Sequence, residues 1–450
     1  MVVPRLPHVT FRHPAQLVVT GFAGTIAVGT LLLLLPLSRA GVGGHAGVLT
    51  ALFTATSAVC VTGLAVVDTP GYWSPFGQVV ILALIQVGGF GIMTMASLLG
   101  LLVSRRMGLR TRLNAAAETK AVGLGDVRTV LRGVAVTSLV VEAVTALVLA
   151  LRFWLRYDES LGRAVWLGVF HGVSAFNNAG FALWSDSLVG FATDPWICLP
   201  LCVAVVLGGL GFPVILELLR RWRRPREWSL HTRIVLTATP VLLVLGVVLV
   251  LGNEWRNPAT LGALPATDRW LPALTASVMA RTAGFNSLDI GSLQQGTLLG
   301  TIALMFIGGG SAGTAGGIKV TTFVLLFFVI WAEVRGEADV HAFGRRIGER
   351  AMRQAVTVAL LSVAVVAGST MLLVEVTGFD THQVLFETTS AFATVGLSTG
   401  ITNQVGSFGE VVLVVLMFVG RLGPITLVSA LALRERQRLY QHPEGRPIIG

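Results

Sequence analysis

Apolar residues along the chain gather in paired runs, and each pair encloses a shorter, more polar stretch. The runs are 16–36 and 76–103, 130–151 and 196–219, 234–252 and 296–332, and 354–374 and 409–433. Each can cross a hydrocarbon core of ~30 Å as a helix. The enclosed stretches are too short and too polar to cross. They predict re-entrant elements, in which about ten to twelve residues descend as a helix and a glycine-bearing strand returns. Such backbone survives at membrane depth only where it is buried in protein or lines water.

The enclosed stretches resemble one another. They read FTATSAVCVTGL (Phe53 to Leu64), FHGVSAFNNAGF (Phe170 to Phe181), LTASVMARTAGF (Leu274 to Phe285) and FETTSAFATVGL (Phe386 to Leu397). Aligned on Gly63, Gly180, Gly284 and Gly396, each has Phe or Leu ten residues earlier and Leu or Phe immediately after. Three carry Ser-Ala six and five residues before the glycine, whereas the third has Ser277 one position out. Self-similarity at a near-constant period is the mark of an internal repeat. A second recurrence follows, Val87-Gly88-Gly89-Phe90-Gly91, Leu207-Gly208-Gly209-Leu210-Gly211, Ile307-Gly308-Gly309-Gly310 and Val419-Gly420-Arg421-Leu422-Gly423. Close packing of helices accounts for any one copy. Recurrence in all four points to a shared role facing a central axis. The fold class expected is an all-α polytopic membrane protein. Its eight transmembrane helices form four pseudo-symmetric helix–pore loop–helix repeats around a central pore. The divisions are a cytoplasmic N-terminus (1–15), repeat 1 (16–104), repeat 2 with a preceding cytoplasmic loop (105–219), repeat 3 (220–332), repeat 4 (333–433) and a cytoplasmic C-terminus (434–450).

Composition agrees. Charged residues make up 12% of the 450 and mean hydropathy is +0.77, against about 25% charged in soluble domains. The net charge of +10 could suggest nucleic acid, but its placement excludes that. Arginines cluster at 105–112, 220–226, 345–353 and 434–438, while the alternate loops hold few, such as Arg39, Arg256 and Arg269. This asymmetry follows the positive-inside rule and puts both termini in the cytoplasm, with a multi-pass chain in the plasma membrane. Cys60, Cys198 and Cys202 form neither a disulfide framework nor a zinc spacing and read as buried small residues. The first apolar run follows a basic start without a small-residue cleavage site, so it reads as a membrane helix and not a removed signal peptide.

Four helix–loop–helix units about one axis make a pore. The C-terminal ends of the short helices carry partial negative charge, which favours a cation. The residues after them can turn carbonyl oxygens inward and replace the hydration shell of a potassium ion. These are Val61, Thr62 and Gly63; Asn178, Ala179 and Gly180; Thr282, Ala283 and Gly284; Thr394, Val395 and Gly396. Asp68, Asp186 and Asp289 follow three of the glycines. They would either concentrate cations at the outer mouth or simply cap local structure.

The motifs TSAVCVTGL, SAFNNAGF, ARTAGFNS, TSAFATVGLSTG, GGGSAGTAGGIKVTT and GRLGP, in this order, resemble the Trk/Ktr/HKT superfamily of potassium transporters, and most nearly its bacterial KtrB/TrkH membrane subunits. The resemblance covers about residues 16–433. The first unit starts near the chain's beginning, which favours the shorter KtrB type. The resemblance implies that Gly63, Gly180, Gly284 and Gly396 are single-glycine filters, that K+ is the ion carried with no covalent cofactor, and that Na+ is a candidate activator. It also implies a homodimer and a cytosolic nucleotide-binding regulatory subunit of KtrA or TrkA type.

The third unit departs from the pattern. As one helix, 296–332 would run roughly 54 Å, well beyond the ~30 Å core. Its middle holds Gly308, Gly309, Gly310, Ser311, Ala312, Gly313, Thr314, Ala315, Gly316 and Gly317, which cannot keep a stable helix. Broken backbone must avoid lipid, so this stretch is expected to face the pore, and it resembles the family's intramembrane gating loop. Arg421 occupies the register of Gly89, Gly209 and Gly309. An intramembrane charge is a functional candidate; here it would repel cations or bind the loop's carbonyls. Lys319 follows the loop near the inner mouth, and Glu118, Lys120 and the basic stretch 220–233 are expected on the cytoplasmic side. Two alternatives are a cation antiporter, for which Glu142, Glu217 and Glu375 would be relay carboxylates lying near span ends, and a membrane enzyme, for which no nucleophile–base pair or phosphate loop is present.

Each loop keeps only the glycine of the longer TVGYG filter of potassium channels. Selectivity for potassium over sodium is therefore expected to be weaker than in those channels. Potassium and sodium fluxes measured in the same proteoliposomes should be comparable in size; near-absolute exclusion of sodium would refute the expectation.

Overall fold

The computed structural model describes residues 14–41, 45–106 and 127–423, with the side chains of 14, 15, 17, 95–106 and 127–130 left aside. The termini, the arginines at 107–126 and 434–438, Glu118, Lys120 and the lower part of the last apolar run lie outside the described residues.

The chain is predominantly helical. Among the described residues, the helices of ten residues or more are α1 (Pro14–Leu33), α2 (Val48–Val59), α3 (Pro75–Arg106), α4 (Val127–Arg156), α5 (Leu161–Phe176), α6 (Pro195–Leu210), α7 (Phe212–Arg221), α8 (Leu230–Glu254), α9 (Trp270–Met279), α10 (Gln295–Phe306), α11 (Val320–Val334), α12 (Glu349–Thr377), α13 (Thr381–Phe392) and α14 (Gly406–Leu422). Starts are written locally. Pro75 and Pro195 stand at first helical positions, and the Ser160 and Ser229 hydroxyls accept from the amides of Arg163 and Thr232, satisfying donors a helix start leaves free.

The outward faces show which solvent the protein needs. On α4, Val136, Leu139, Val140, Val144 and Leu147 are exposed, and on α8 so are Val241, Val244, Leu245 and Val248. Contiguous apolar surface on this scale is untenable in water and ordinary against lipid. The polar side chains Ser138, Glu142 and Thr145 of α4 turn inward. Among the described residues, parts of α3, α4, α8 and α12 are each long and apolar enough to cross a membrane alone.

The short helices α2, α5, α9 and α13 form the inner layer. α2, α5 and α13 pack on both helices flanking them in sequence and α9 on α8, and each also packs on one from the neighbouring unit: α5 on α3, α9 on α6, α13 on α10, and α2 on α14. The last contact joins the two ends of the chain and closes the arrangement. Phe53, Phe170 and Phe386, ten residues before their glycines, are fully buried, and Leu274 is half-buried.

The second run of the second unit is not one straight span. α6 and α7 meet at 99°, because Gly211 takes φ 93°, ψ 142° and Pro213 follows within the first turn of α7. The amide of Phe212 donates to the Ala312 carbonyl at 3.2 Å, so the glycine-rich stretch of the third unit occupies the bend. Gly423, after α14, has nearly the same backbone, φ 82°, ψ 137°. Against the all-α expectation there is a small ribbon, β1 (His341–Ala342) antiparallel to β2 (Arg345–Arg346). Phe343 and Gly344 both have positive φ in its turn, the geometry of a two-residue hairpin. Glu142, expected near a span end, sits in the middle of α4.

The glycine pairs serve packing before they serve any axis. The first glycine of three pairs, Gly88, Gly208 and Gly420, lies against the carbonyl of Val59, Phe176 and Phe392, each four residues before that unit's aligned glycine. A methyl group there would overlap the oxygen. Gly420→Val is therefore expected to abolish the folded protein, read as loss of the monodisperse elution peak in detergent. Gly368→Ala on α12, where nothing lies within 4 Å, is expected to leave the peak and the melting temperature unchanged.

Candidate functional site

The four aligned glycines meet in one ring. Gly63 lies against the Ala179 carbonyl and Gly180, Gly180 against the Ala283 carbonyl and Gly284, Gly284 against the Val395 carbonyl and Gly396, and Gly396 against the Thr62 carbonyl and Gly63. A side chain at any of the four would collide with its neighbour's backbone. All four have positive φ, from 70° to 92°, a region open to glycine at little cost.

Two residues before each glycine the backbone is also left-handed: Val61 (φ 54°), Asn178 (φ 58°), Thr282 (φ 72°) and Thr394 (φ 50°). Three of these are β-branched, for which positive φ is a true outlier. Such strain, about 1–3 kcal/mol per residue, persists only where the surroundings impose it.

The helix ends impose it. The amides of Val61 and Thr62 donate to the carbonyls of Ala58 and Ser57, and that of Gly63 to Ser57 Oγ at 3.1 Å. Thr394, Val395 and Gly396 repeat this pattern on Ala391 and Ser390, and Asn178 and Ala179 on Ala175 and Ser174. Ser57 and Ser174 also donate to the carbonyls of Leu64 (2.7 Å) and Phe181 (2.9 Å). The aligned serine thus fastens the returning strand to its own helix. Ser277, one position out, bonds the Leu243 carbonyl instead, and the amides of Ala283 and Gly284 both turn to Met279. Ten of the twelve amides are thus spent on the helix side, which leaves the acceptors to face the other way. No described hydrogen bond is accepted by the carbonyls of the twelve residues 61–63, 178–180, 282–284 and 394–396.

Above the ring lies a cavity of about 650 Å³ whose floor includes all four glycines. Asp68 and Asp289 line it and Asp186 does not. Each aspartate also closes a local turn, accepting from the amides of Gly71, Gly291 and Gly190 respectively.

Residues 307–319 close the opposite side. Ile307 and Ile318 pair in parallel across the loop's neck. The amides of Gly310 and Thr314 donate to the carbonyls of Gly209 (2.7 Å) and Gly208 (3.1 Å) at the end of α6. Gly313, Thr314, Ala315 and Gly316 are buried; Ser311, Ala312 and Gly317 are partly so. Thr314 joins the loop to the ring: its hydroxyl reaches the Phe176 carbonyl and the side-chain carboxamide of Asn178 (3.0 Å), and that carboxamide also reaches Thr282 Oγ1 (3.4 Å). Gly316 sits against Thr394 and the Ala393 carbonyl.

Arg421, 4% exposed, donates through Nη1 to the Thr314 carbonyl, and its Nε and Nη2 have no protein partner among the described residues. Lys319 Nζ folds back on the Ala315 carbonyl at 2.5 Å. Arg281, 6% exposed, donates through Nη2 to the Gly308 carbonyl at 2.7 Å. Arg281 lies within the ARTAGFNS motif, whose pattern by itself assigns it no role. The available signal was register, since it stands where the other units have Cys60, Asn177 and Ala393. Two buried guanidiniums thus hold the loop at separate points, one from the third unit and one from the fourth. Glu142 accepts from Gln86 and Asn177, while Glu217 accepts from Ser229 and Thr232, tying α7 to α8. The three cysteines are free and buried.

This architecture, a lipid-faced helical shell around a ring of unpaired carbonyls, is that of a membrane transport protein. The chain belongs to the TrkH family of cation transport proteins, whose family model matches residues 10–440. It is 38% identical to Ktr system potassium uptake protein B of Bacillus subtilis over 437 residues, covering 97% of each chain. It is 38% identical to the protein of the same name from Vibrio alginolyticus, covering 97% of this chain and 94% of that one. The potassium/sodium uptake protein NtpJ of Enterococcus hirae is 34% identical, covering 97% of each. The potassium transporter TrkH of Vibrio parahaemolyticus shares the fold, with a TM-score of 0.74 at 19% identity over 95% of this chain and 87% of that one.

Proposed function

We propose that this protein carries potassium ions into the cell across the plasma membrane. The ions pass through the four-glycine ring, and the 308–317 loop acts as a gate that Arg421 holds shut. The observation that carries the reading is the ring itself: four glycine segments in mutual contact, with most of their amides bonded to their own helices and their carbonyls accepting no described hydrogen bond. A ring of free carbonyl oxygens below an open cavity is suited to replacing the water around a monovalent cation. On this reading the chain makes four helix–pore loop–helix repeats with eight crossings and both termini in the cytoplasm. It works as a homodimer, and the exposed basic surface around Arg220, Arg223 and Arg224 receives a cytosolic nucleotide-binding regulatory subunit. The names of two relatives, potassium uptake proteins, support the choice of ion. The name of the Enterococcus relative supports a second reading, in which sodium also permeates or activates.

Purified protein in liposomes is expected to take up rubidium or potassium down its gradient, with or without a proton gradient, and expression is expected to restore growth of a potassium-uptake-deficient bacterium at low potassium. Absence of flux from correctly inserted protein would end the reading; strict dependence on a proton gradient would transfer it to an antiporter.

The gate has its own test. Arg421→Ala and deletion of 311–316 are both expected to raise flux several-fold at normal expression. Unchanged or lower flux in Arg421→Ala would remove this residue from the gate, and a silent deletion variant would count against the loop.

A further inference from the structure

The four short helices can be compared at the position nine residues before each aligned glycine. It holds Thr54, His171, Thr275 and Glu387, all buried. In the second and fourth units this side chain reaches the strand that leaves the ring. His171 Nε2 accepts from the amide of Leu183 at 3.1 Å, three residues past Gly180. Glu387 accepts from the amide of Thr399 at 2.9 Å, three residues past Gly396. The two units solve one problem, anchoring the returning strand, with the same register and different chemistry.

A neutral acceptor suffices in the second unit, so the carboxylate in the fourth supplies something more. Glu387 is 1% exposed. Its Oε1 accepts from Ser398 Oγ at 2.5 Å, from the Thr399 amide and, at 3.4 Å, from Thr399 Oγ1; its Oε2 accepts from Thr402 Oγ1 at 2.9 Å. The Thr399 amide can only donate to the carboxylate, and the hydroxyls donate to it in the arrangement seen, contacts that favour the ionised form. Among the described residues no Lys, Arg or His forms an ion pair with it. Its partners Ser398 and Thr399 line the cavity above the ring, together with Gly396. The carboxylate therefore stands one layer of backbone behind the cavity wall. A buried charge acts there through a medium that screens less than water, whereas Asp68 and Asp289 are exposed.

We propose that Glu387 is a positioning and affinity-setting residue of the outer mouth. Its accepted hydrogen bonds fix the strand after Gly396, and its uncompensated negative charge raises the affinity of the cavity and ring for a monovalent cation. The proposal rests on the conduction reading and goes beyond it by placing the fixed charge of the cation site behind the wall.

The test is potassium uptake by wild type, Glu387→Gln, Glu387→Thr and Glu387→Asp in proteoliposomes, with concentration dependence measured for each. Gln keeps the shape and an acceptor for Thr399, and Thr is the residue two other units carry in this register. Both uncharged variants are expected to raise the potassium KM about tenfold, the size of one weakly screened charge near the path, with maximal flux within about twofold of wild type. Asp keeps the charge and is expected to recover most of the affinity. A wild-type KM in either folded uncharged variant would overturn the proposal, as would equal loss of KM and maximal flux in all three, which would make the residue a structural tie alone. Silent wild-type liposomes would instead sink the conduction reading, before the variants are compared.

Discussion

The structure depends on where the amides at the ends of the four short helices go. A backbone that stops being helical inside a membrane must satisfy its donors within the protein. Here it does so by curling back: the next amides donate to the last carbonyls of the same helix, and in three units to the aligned serine or the carbonyl before it. This forces left-handed conformations on Val61, Asn178, Thr282 and Thr394 and leaves the carbonyls pointing away from the helix. The glycine that follows serves a second demand, since each of the four has a neighbouring segment's backbone where its side chain would be. Ring closure, strain and the free carbonyls are one arrangement seen from three sides.

Much of this was legible in the sequence, because repetition makes weak signals strong. Any one stretch with Phe or Leu ten residues before a glycine is unremarkable, while four at similar spacing demand a common geometry. The glycine run at 308–317 was readable because its composition forbids a helix between two apolar runs that require one. Arg421 and the glycine pairs were readable by register, although the pairs proved to serve contact with Val59, Phe176 and Phe392 before anything else. What sequence could not give were features created by meeting partners. Nothing in Val61 or Thr394 announces positive φ, since their intrinsic preference is against it. The bend at Gly211 follows from the third unit's loop lying against the second unit's helix, a contact a hundred residues away in sequence. Arg281 carries a visible charge, but its bond to Gly308 depends on how the loop folds back.

The fourfold template is most informative where it breaks. The third unit loses the aligned serine, its Ser277 turns to α8, and its long run opens into the loop that lies under the ring. The loop is held by groups that the other units lack. Thr314 uses its amide on Gly208, its hydroxyl on Phe176 and Asn178, and its carbonyl on Arg421. One residue thereby ties the second, third and fourth units together beneath the ring. On the gating proposal, release of the loop would require Arg421 to leave the Thr314 carbonyl.

That economy bears on how the proposed gate could be controlled. Guanidinium groups buried with unpaired nitrogens, as in Arg421 and Arg281, are held in a costly state. Movement of α14 by a fraction of a helical turn would take Arg421 away from the Thr314 carbonyl and free its charge at the same time. The two helices hold this contact from opposite sides, α14 carrying Arg421 and α6 carrying the carbonyls of Gly208 and Gly209 that bind the loop. A partner that shifts either helix therefore needs no contact with the ring to alter passage through it. On the gating proposal, the bond between Arg421 and the loop would be the element whose equilibrium both helices bias, which is the condition for coupling between separate sites.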